Sequence, residues 1–169
     1  MKKLAVIFLL MICCVCPAAV GPNVALNNEF TNWTGDDPDD WEQNTDPDVD
    51  QTPEGWCRLI DYVLGEVDVR QDGIITIGLK YRIEITSSIN NWPDGVKSYD
   101  GNTPFAYVQT INDGGGVYRV VYEGVAADEG IRVYNDAGSG SSAMDKIDVM
   151  VLTSSGGPVR AYNRNLLRN

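Results

Sequence analysis

Residues 107–124 read "YVQTINDGGGVYRVVYEG". Two runs rich in Val, Ile and Tyr meet at Asn112–Gly116, where Asp and Gly supply the positive-φ positions of a tight turn, so the stretch predicts a β-hairpin. Upstream, "LKYRIEI" (79–85) alternates Leu79, Tyr81, Ile83 and Ile85 with Lys80, Arg82 and Glu84. That period of two predicts a strand with one buried and one wet face. Further runs predict strands near Val24–Leu26, Trp56–Ile60, Gly65–Gln71, Ile74–Ile77, Lys80–Ser87, Phe105–Ile111, Val117–Glu123, Gly130–Tyr134 and Ala143–Leu152. No apolar period of 3.6 persists long enough for an internal helix, so the fold class is all-β. Many half-buried antiparallel strands imply two sheets packed face to face. Gly35–Glu54, rich in Asp and Pro, and Asn90–Thr103, carrying Trp92 and Tyr99, read as surface loops.

The two ends differ from this middle. "MKKLAVIFLLMICCVCPAAV" (1–20) sets Lys2 and Lys3 before an apolar run that ends in small residues, the layout of a secretory signal peptide over 1–19. The run is too short to span a bilayer, and no later segment approaches the ~20 apolar residues a spanning helix needs. The mature chain is therefore expected outside the cytoplasm, secreted or periplasmic. No small residue precedes Cys13, Cys14 or Cys16 in the manner of a lipoprotein signal, so lipidation is not expected. Those three cysteines leave with the leader, and Cys57 alone remains as a buried apolar residue that cannot form an intramolecular disulfide. At the other end, "TSSGGPVRAYNRNLLRN" (153–169) opens as a linker and spaces Arg160, Arg164 and Arg168 four apart. It reads either as a frayed basic tail or as a docking segment for an acidic protein surface. Residues 20–153 then form a single domain.

The chain carries a net charge of −11, and loss of the two leader lysines takes it to −13. Nucleic acid and anionic membranes, which attract basic faces, are poor partners for it. There is no histidine, which removes the commonest general base and metal ligand.

The order of motifs resembles a known family. "VALNNEFTNWTGDDPDDW" (24–41) is similar to the opening of the galactose-binding-like jelly rolls of carbohydrate-binding modules, which begin Asn-x-x-Phe-Glu and soon reach Pro-x-x-Trp. "GEVDVRQD" (65–72) followed by Gly78-x-x-Tyr81 resembles that family's Gln and Gly-x-x-Tyr. "SSAMDKIDVMVL" (141–152) is similar to its closing Ile-Asp-x-Val segment. The resemblance spans nearly all of Val24–Leu152 and implies a jelly-roll β-sandwich of two antiparallel sheets. It also implies a structural calcium between the first and last strands, with Asp145 at the closing position. Thr31 stands where the family's glutamate would be, so the second carboxylate would have to come from Glu29, two residues away.

Other acidic runs lack metal geometry. "DPDVDQTPEGW" (46–56) starts like an EF-hand loop but has Gln51 at the sixth position and Cys57 at the twelfth, so it reads as a solvated loop. Sugar recognition needs flat aromatic faces beside groups that read hydroxyls. The candidates are Trp56 with Arg58, Tyr107 with Gln109, and Arg132 with Tyr134, each pair two residues apart on a strand, together with Trp92 and Tyr99 in the second loop. Core packing is the competing reading for about half of such aromatics. No carboxylates are visibly paired for glycoside hydrolysis, and there is no nucleophile elbow, HExxH or phosphate loop, so no enzyme activity is expected. The expected function is non-catalytic carbohydrate binding, with a structural or adhesive assembly protein of the same fold as the alternative.

Overall fold

A computed structural model of the chain describes residues 19–35, 37–43, 49–60, 65–88, 91–136, 138 and 140–153. The expected leader up to residue 18, the tail 154–169 with its three arginines, and Asp36, Asp46 and Asp48 lie outside the described residues. Among the described residues the elements are strands only: β1 (Ala19–Asn23), β2 (Trp33–Thr34), β3 (Asp37–Pro38), β4 (Glu42–Gln43), β5 (Val49–Gln51), β6 (Cys57–Leu59), β7 (Val67–Gln71), β8 (Lys80–Ser87), β9 (Gly95–Ser98), β10 (Ala106–Gly114), β11 (Val117–Val125), β12 (Ile131–Asn135), β13 (Ser142–Met144) and β14 (Lys146–Thr153). Among the described residues no helix is long and apolar enough to cross a membrane.

All the strand pairings among the described residues are antiparallel. A five-stranded sheet runs β1-β14-β8-β11-β10, a four-stranded sheet β4-β7-β12-β9, a three-stranded sheet β13-β6-β5, and β2 pairs with β3. β8 has the expected limits and the expected alternation. Tyr81, Ile83, Ile85 and Ser87 are buried, and Arg82, Glu84 and Thr86 face the other way. Register places Ile83 opposite Tyr122 on β11 and Val149 on β14, so three inward rows meet at one level. Val67, Val69, Ile131, Val133 and Val96 of the four-stranded sheet join the same core, as do Cys57 and Leu59 of β6 and Val49 of β5. The result is a sandwich-like all-β body whose single core is fed by three of its sheets.

The predicted turn at Asn112–Gly116 joins β10 to β11, with positive φ at Gly114, Gly115 and Gly116. Four expectations change. Ile74–Ile77 makes bends rather than a strand, because its backbone is spent on single contacts such as Ile75 N–H to Glu129 C=O (3.0 Å). Leu79 is 45% exposed because β8 starts one residue later. The expected strand Ala143–Leu152 breaks at Asp145, whose N–H turns to Thr86 C=O at 2.8 Å. The first strand lies at Ala19–Asn23 rather than Val24–Leu26, since Leu26–Glu29 turn away from β14. Both expected loops also hold short strands, β3 to β5 in the first and β9 in the second.

Among the described residues the outer face of the five-stranded sheet carries no aromatic row but a charge ladder. Glu84 accepts from Arg82 at 2.7 Å and from Arg119 at 2.9 Å, and Lys80 meets Glu123 at 2.8 Å. Such half-exposed pairs add little each, so stability rests on the apolar row beneath. Ile83→Ala is expected to lower the unfolding free energy by about 2–5 kcal/mol. Urea unfolding would show this as an earlier midpoint with an unchanged slope.

Candidate functional site

The irregular segment from Leu26 to Trp41, the first loop of the folded chain, reaches its place through side-chain amides. Asn27 Nδ2 donates to the carbonyls of Asn32 and Asp39, both at 2.8 Å, and Gln71 Nε2 donates to those of Asp40 (2.8 Å) and Leu26 (3.1 Å). Phe30, at φ 50°, is thereby driven into the core against Trp41, with ring centroids 5.6 Å apart. Its neighbours Glu29 and Thr31 consequently face a pocket at the loop's rim. Opposite them, the β5–β6 turn is closed by Thr52. Thr52 N–H donates to Trp56 C=O (2.9 Å) and its Oγ1 accepts from Trp56 N–H (3.2 Å). Gly55, at φ 96°, makes this reversal possible.

The pocket between these segments is open and about 570 Å³. Trp56 supplies its aromatic wall. Glu29, Glu54 and Asp145 bring carboxylates, Gln51 an amide, Thr31 and Thr86 hydroxyls, and Lys146 an ammonium. The structure therefore unites Trp56 with both expected metal ligands, which the sequence had placed in separate roles. Gln51, Glu54, Thr86 and Lys146 were not anticipated. Gln51 and Glu54 fall in the stretch 46–56 whose sequence reads as a solvated loop, and the hint it offers is that an amide and a carboxylate precede Trp56 so closely.

Asp145 sits at the bend between β13 and β14. Its Oδ2 accepts from the Ser88 hydroxyl, while Oδ1 is buried without a hydrogen-bond partner. Glu29 is 62% exposed and faces Lys146 Nζ at 3.8 Å, and the same ammonium lies 3.2 Å from Asp148. Among the described residues no group of three or more acidic, cysteine or histidine side chains converges as a metal-ligand set. Calcium takes six to eight oxygens. One oxygen committed to a serine hydroxyl and a second carboxylate facing an ammonium do not fit it. The melting temperature of the mature protein is accordingly expected to be equal in chelator and in millimolar calcium. A bound ion at a hundred times its Kd would raise stability by about 2.7 kcal/mol, or roughly 5–10 °C.

The other expected residues lie on three separate surfaces. Trp56 and Arg58 do share a side of β6, opposite the fully buried Cys57 and Leu59, but Arg58 turns to Asp50 with Nε to Oδ1 at 2.8 Å. Burial, with the Asp50 charge added, pushes the Cys57 thiol far up and leaves it inert.

Tyr99, Arg132 and Tyr134 meet on the outer face of the four-stranded sheet. Arg132 Nη1 reaches Glu66 at 3.2 Å and Asp68 at 3.5 Å, and Nη2 donates to Tyr99 C=O at 3.1 Å. Lys97 Nζ lies 3.6 Å from the centre of the Tyr134 ring, which also presses on Gly95, where a Cβ would come within 2.7 Å of the Tyr134 hydroxyl. Burial pushes the Asp68 carboxyl up, against the pull of Arg132 and Arg70. The turn that holds Tyr99 is organised by Asp100, whose carboxyl is held down to about 2 by the Ser98 hydroxyl and the Asn102 N–H and side-chain amide. The groups on this face are largely satisfied by one another.

Tyr107 and Gln109 do not share a face. A bulge between them sets Tyr107 opposite Tyr122 and Gln109 opposite Val121, so the extra residue reverses the expected side. Tyr107 packs edge-on to Tyr122 with ring centroids 6.1 Å apart, and Trp92 leans on Tyr118 at 5.7 Å. Trp92 is half-buried against the core.

No protein-family model matches the chain, and no curated protein matches it significantly.

Proposed function

We propose that the chain is a secreted, non-catalytic carbohydrate-binding protein of the galactose-binding-like jelly-roll kind, and that its glycan site is the pocket walled by Trp56. The observation that carries this reading is the combination inside one open cavity of an aromatic side chain with carboxylate, amide and hydroxyl groups. A pyranose presents apolar C–H faces and a rim of hydroxyls, so a ring seated against Trp56 would have acceptors in Glu54 and Glu29 and both kinds of partner in Gln51 and Thr31. The resemblance from Val24 to Leu152 and the sandwich-like all-β body with one core support the same reading. The leader-like first residues support a location outside the cytoplasm.

Trp56→Ala is expected to weaken glycan binding about 10–100-fold, since loss of a stacked ring costs roughly 1–3 kcal/mol. Titration of the mature protein with oligosaccharides that bind the wild type on a glycan array checks this. Absence of any glycan ligand for the wild type would end the reading.

One observation favours assembly as a second reading. β10 is the edge of the five-stranded sheet and nearly all of it is exposed, Tyr107 to 61% and Val108 to 47%. An edge of this length with one charged residue is open to strand pairing. If assembly is the role, light scattering after size exclusion should show oligomers, and a lysine at Val108 should return them to monomer. A monomer at all concentrations rejects it.

A further inference from the structure

The pocket that holds Trp56 is also unevenly charged. Three carboxylates line it, those of Glu29, Glu54 and Asp145, against the single ammonium of Lys146. That ammonium is shared outward, 3.8 Å from Glu29 and 3.2 Å from Asp148, so it offsets Glu29 more than the pocket interior. Asp145 has only a neutral hydroxyl on one oxygen, and its other oxygen is buried with no hydrogen-bond partner. A carboxylate held this way keeps its field directed through low-dielectric protein rather than spending it on a countercharge. The whole chain, at −11, reinforces the same sign.

From this charge pattern we infer that the Trp56 pocket selects glycans carrying protonated amines, that is, oligosaccharides of unacetylated amino sugars, and discriminates against uronic acids. The inference rests on the sugar-binding reading and adds the substrate class. A protonated amine on a ring stacked against Trp56 gains from Glu54 and from the uncompensated Asp145. A uronate in the same seat meets like charge and forfeits its own hydration. Neutral sugars fall between, held by stacking and hydroxyl contacts alone.

The test is calorimetric titration of the mature protein with three short oligosaccharides: β-linked glucosamine, its N-acetylated counterpart and galacturonate. The pH is set between the carboxylate and amine ranges. The expected order is amine over neutral over uronate, with at least a tenfold step from neutral to amine, equivalent to about 1.4 kcal/mol. Added salt should shrink that step. Glu54→Gln and Asp145→Asn should each narrow the amine-to-neutral ratio, and Trp56→Ala should weaken the amine and neutral ligands together. Equal affinities, or uronate bound most tightly, would overturn the charge selectivity and leave sugar binding standing. Amine binding untouched by Trp56→Ala and Glu54→Gln would also overturn it, since the general acidity of the chain would then suffice. No binding of any of the three would overturn the amino-sugar selectivity, and only the absence of every ligand on the glycan array would remove the sugar-binding reading as well.

Discussion

The side-chain amide of Gln71 is the contact on which the rest of the arrangement hangs. It lies at the end of β7 and is almost wholly buried. It accepts from Leu26 N–H and donates to the carbonyls of Leu26 and Asp40, so one side chain fixes both ends of the first loop. That loop has little regular structure to pair its own backbone, and buried peptide groups without partners are costly. Once it is tied to β7, Phe30 and Trp41 have no freedom to point anywhere but the core, and Trp41 Nε1 closes the loop by donating to Leu26 C=O at 3.0 Å. The rim residues Glu29 and Thr31 then stand against the β5–β6 turn, and a pocket exists between two segments that are each too irregular to build one alone.

A second constraint joins the loop to the last strand. Ile147 N–H donates to Asn28 C=O at 2.8 Å, Asn28 Nδ2 donates to Asp148, and Asn23 Oδ1 accepts from Val149 N–H at 2.7 Å. Amides and the Lys146 ammonium thus hold together the first and closing segments, where the family resemblance implies a divalent cation. The same junction brings Asp145 and Lys146 to the pocket, so the architecture of the closure and the charge of the candidate site are one design feature.

The two large sheets divide their work. The outer face of the five-stranded sheet is laced by ion pairs and offers no aromatic platform, and that of the four-stranded sheet has tyrosines whose partners are already protein groups, Glu42 for Tyr99 and Lys97 for Tyr134. The small β13-β6-β5 sheet, with its turn at Thr52–Trp56, is the part that presents chemistry to a cavity. A short sheet can do this because Cys57, Leu59 and Val49 anchor one side of it fully in the core. Its other side, with Trp56, is then free to face outward.

Much of the fold was legible in the sequence because its signals are local. The period of two in Lys80–Ser87, the Asp-Gly turn at 112–116 and the placing of β7, β11 and β12 depend on residues within a few positions of one another. The sharing of a face by Trp56 and Arg58, and by Arg132 and Tyr134, follows from the same period. What could not be read was anything that depends on a register or a distant partner. One bulged residue at Val108 reversed Gln109, and a backbone bond to Thr86 broke the final strand at Asp145. The pocket joins residues 29–31, 51–56, 86 and 145–146, four segments brought together only by hydrogen bonds and core contacts across the chain. By itself the sequence determined an all-β chain and, within the regular strands, which side chains point inward, because alternation is a property of neighbours. The tertiary structure decided which outward side chains meet, because that depends on non-local pairing and on where each irregular loop is tied down.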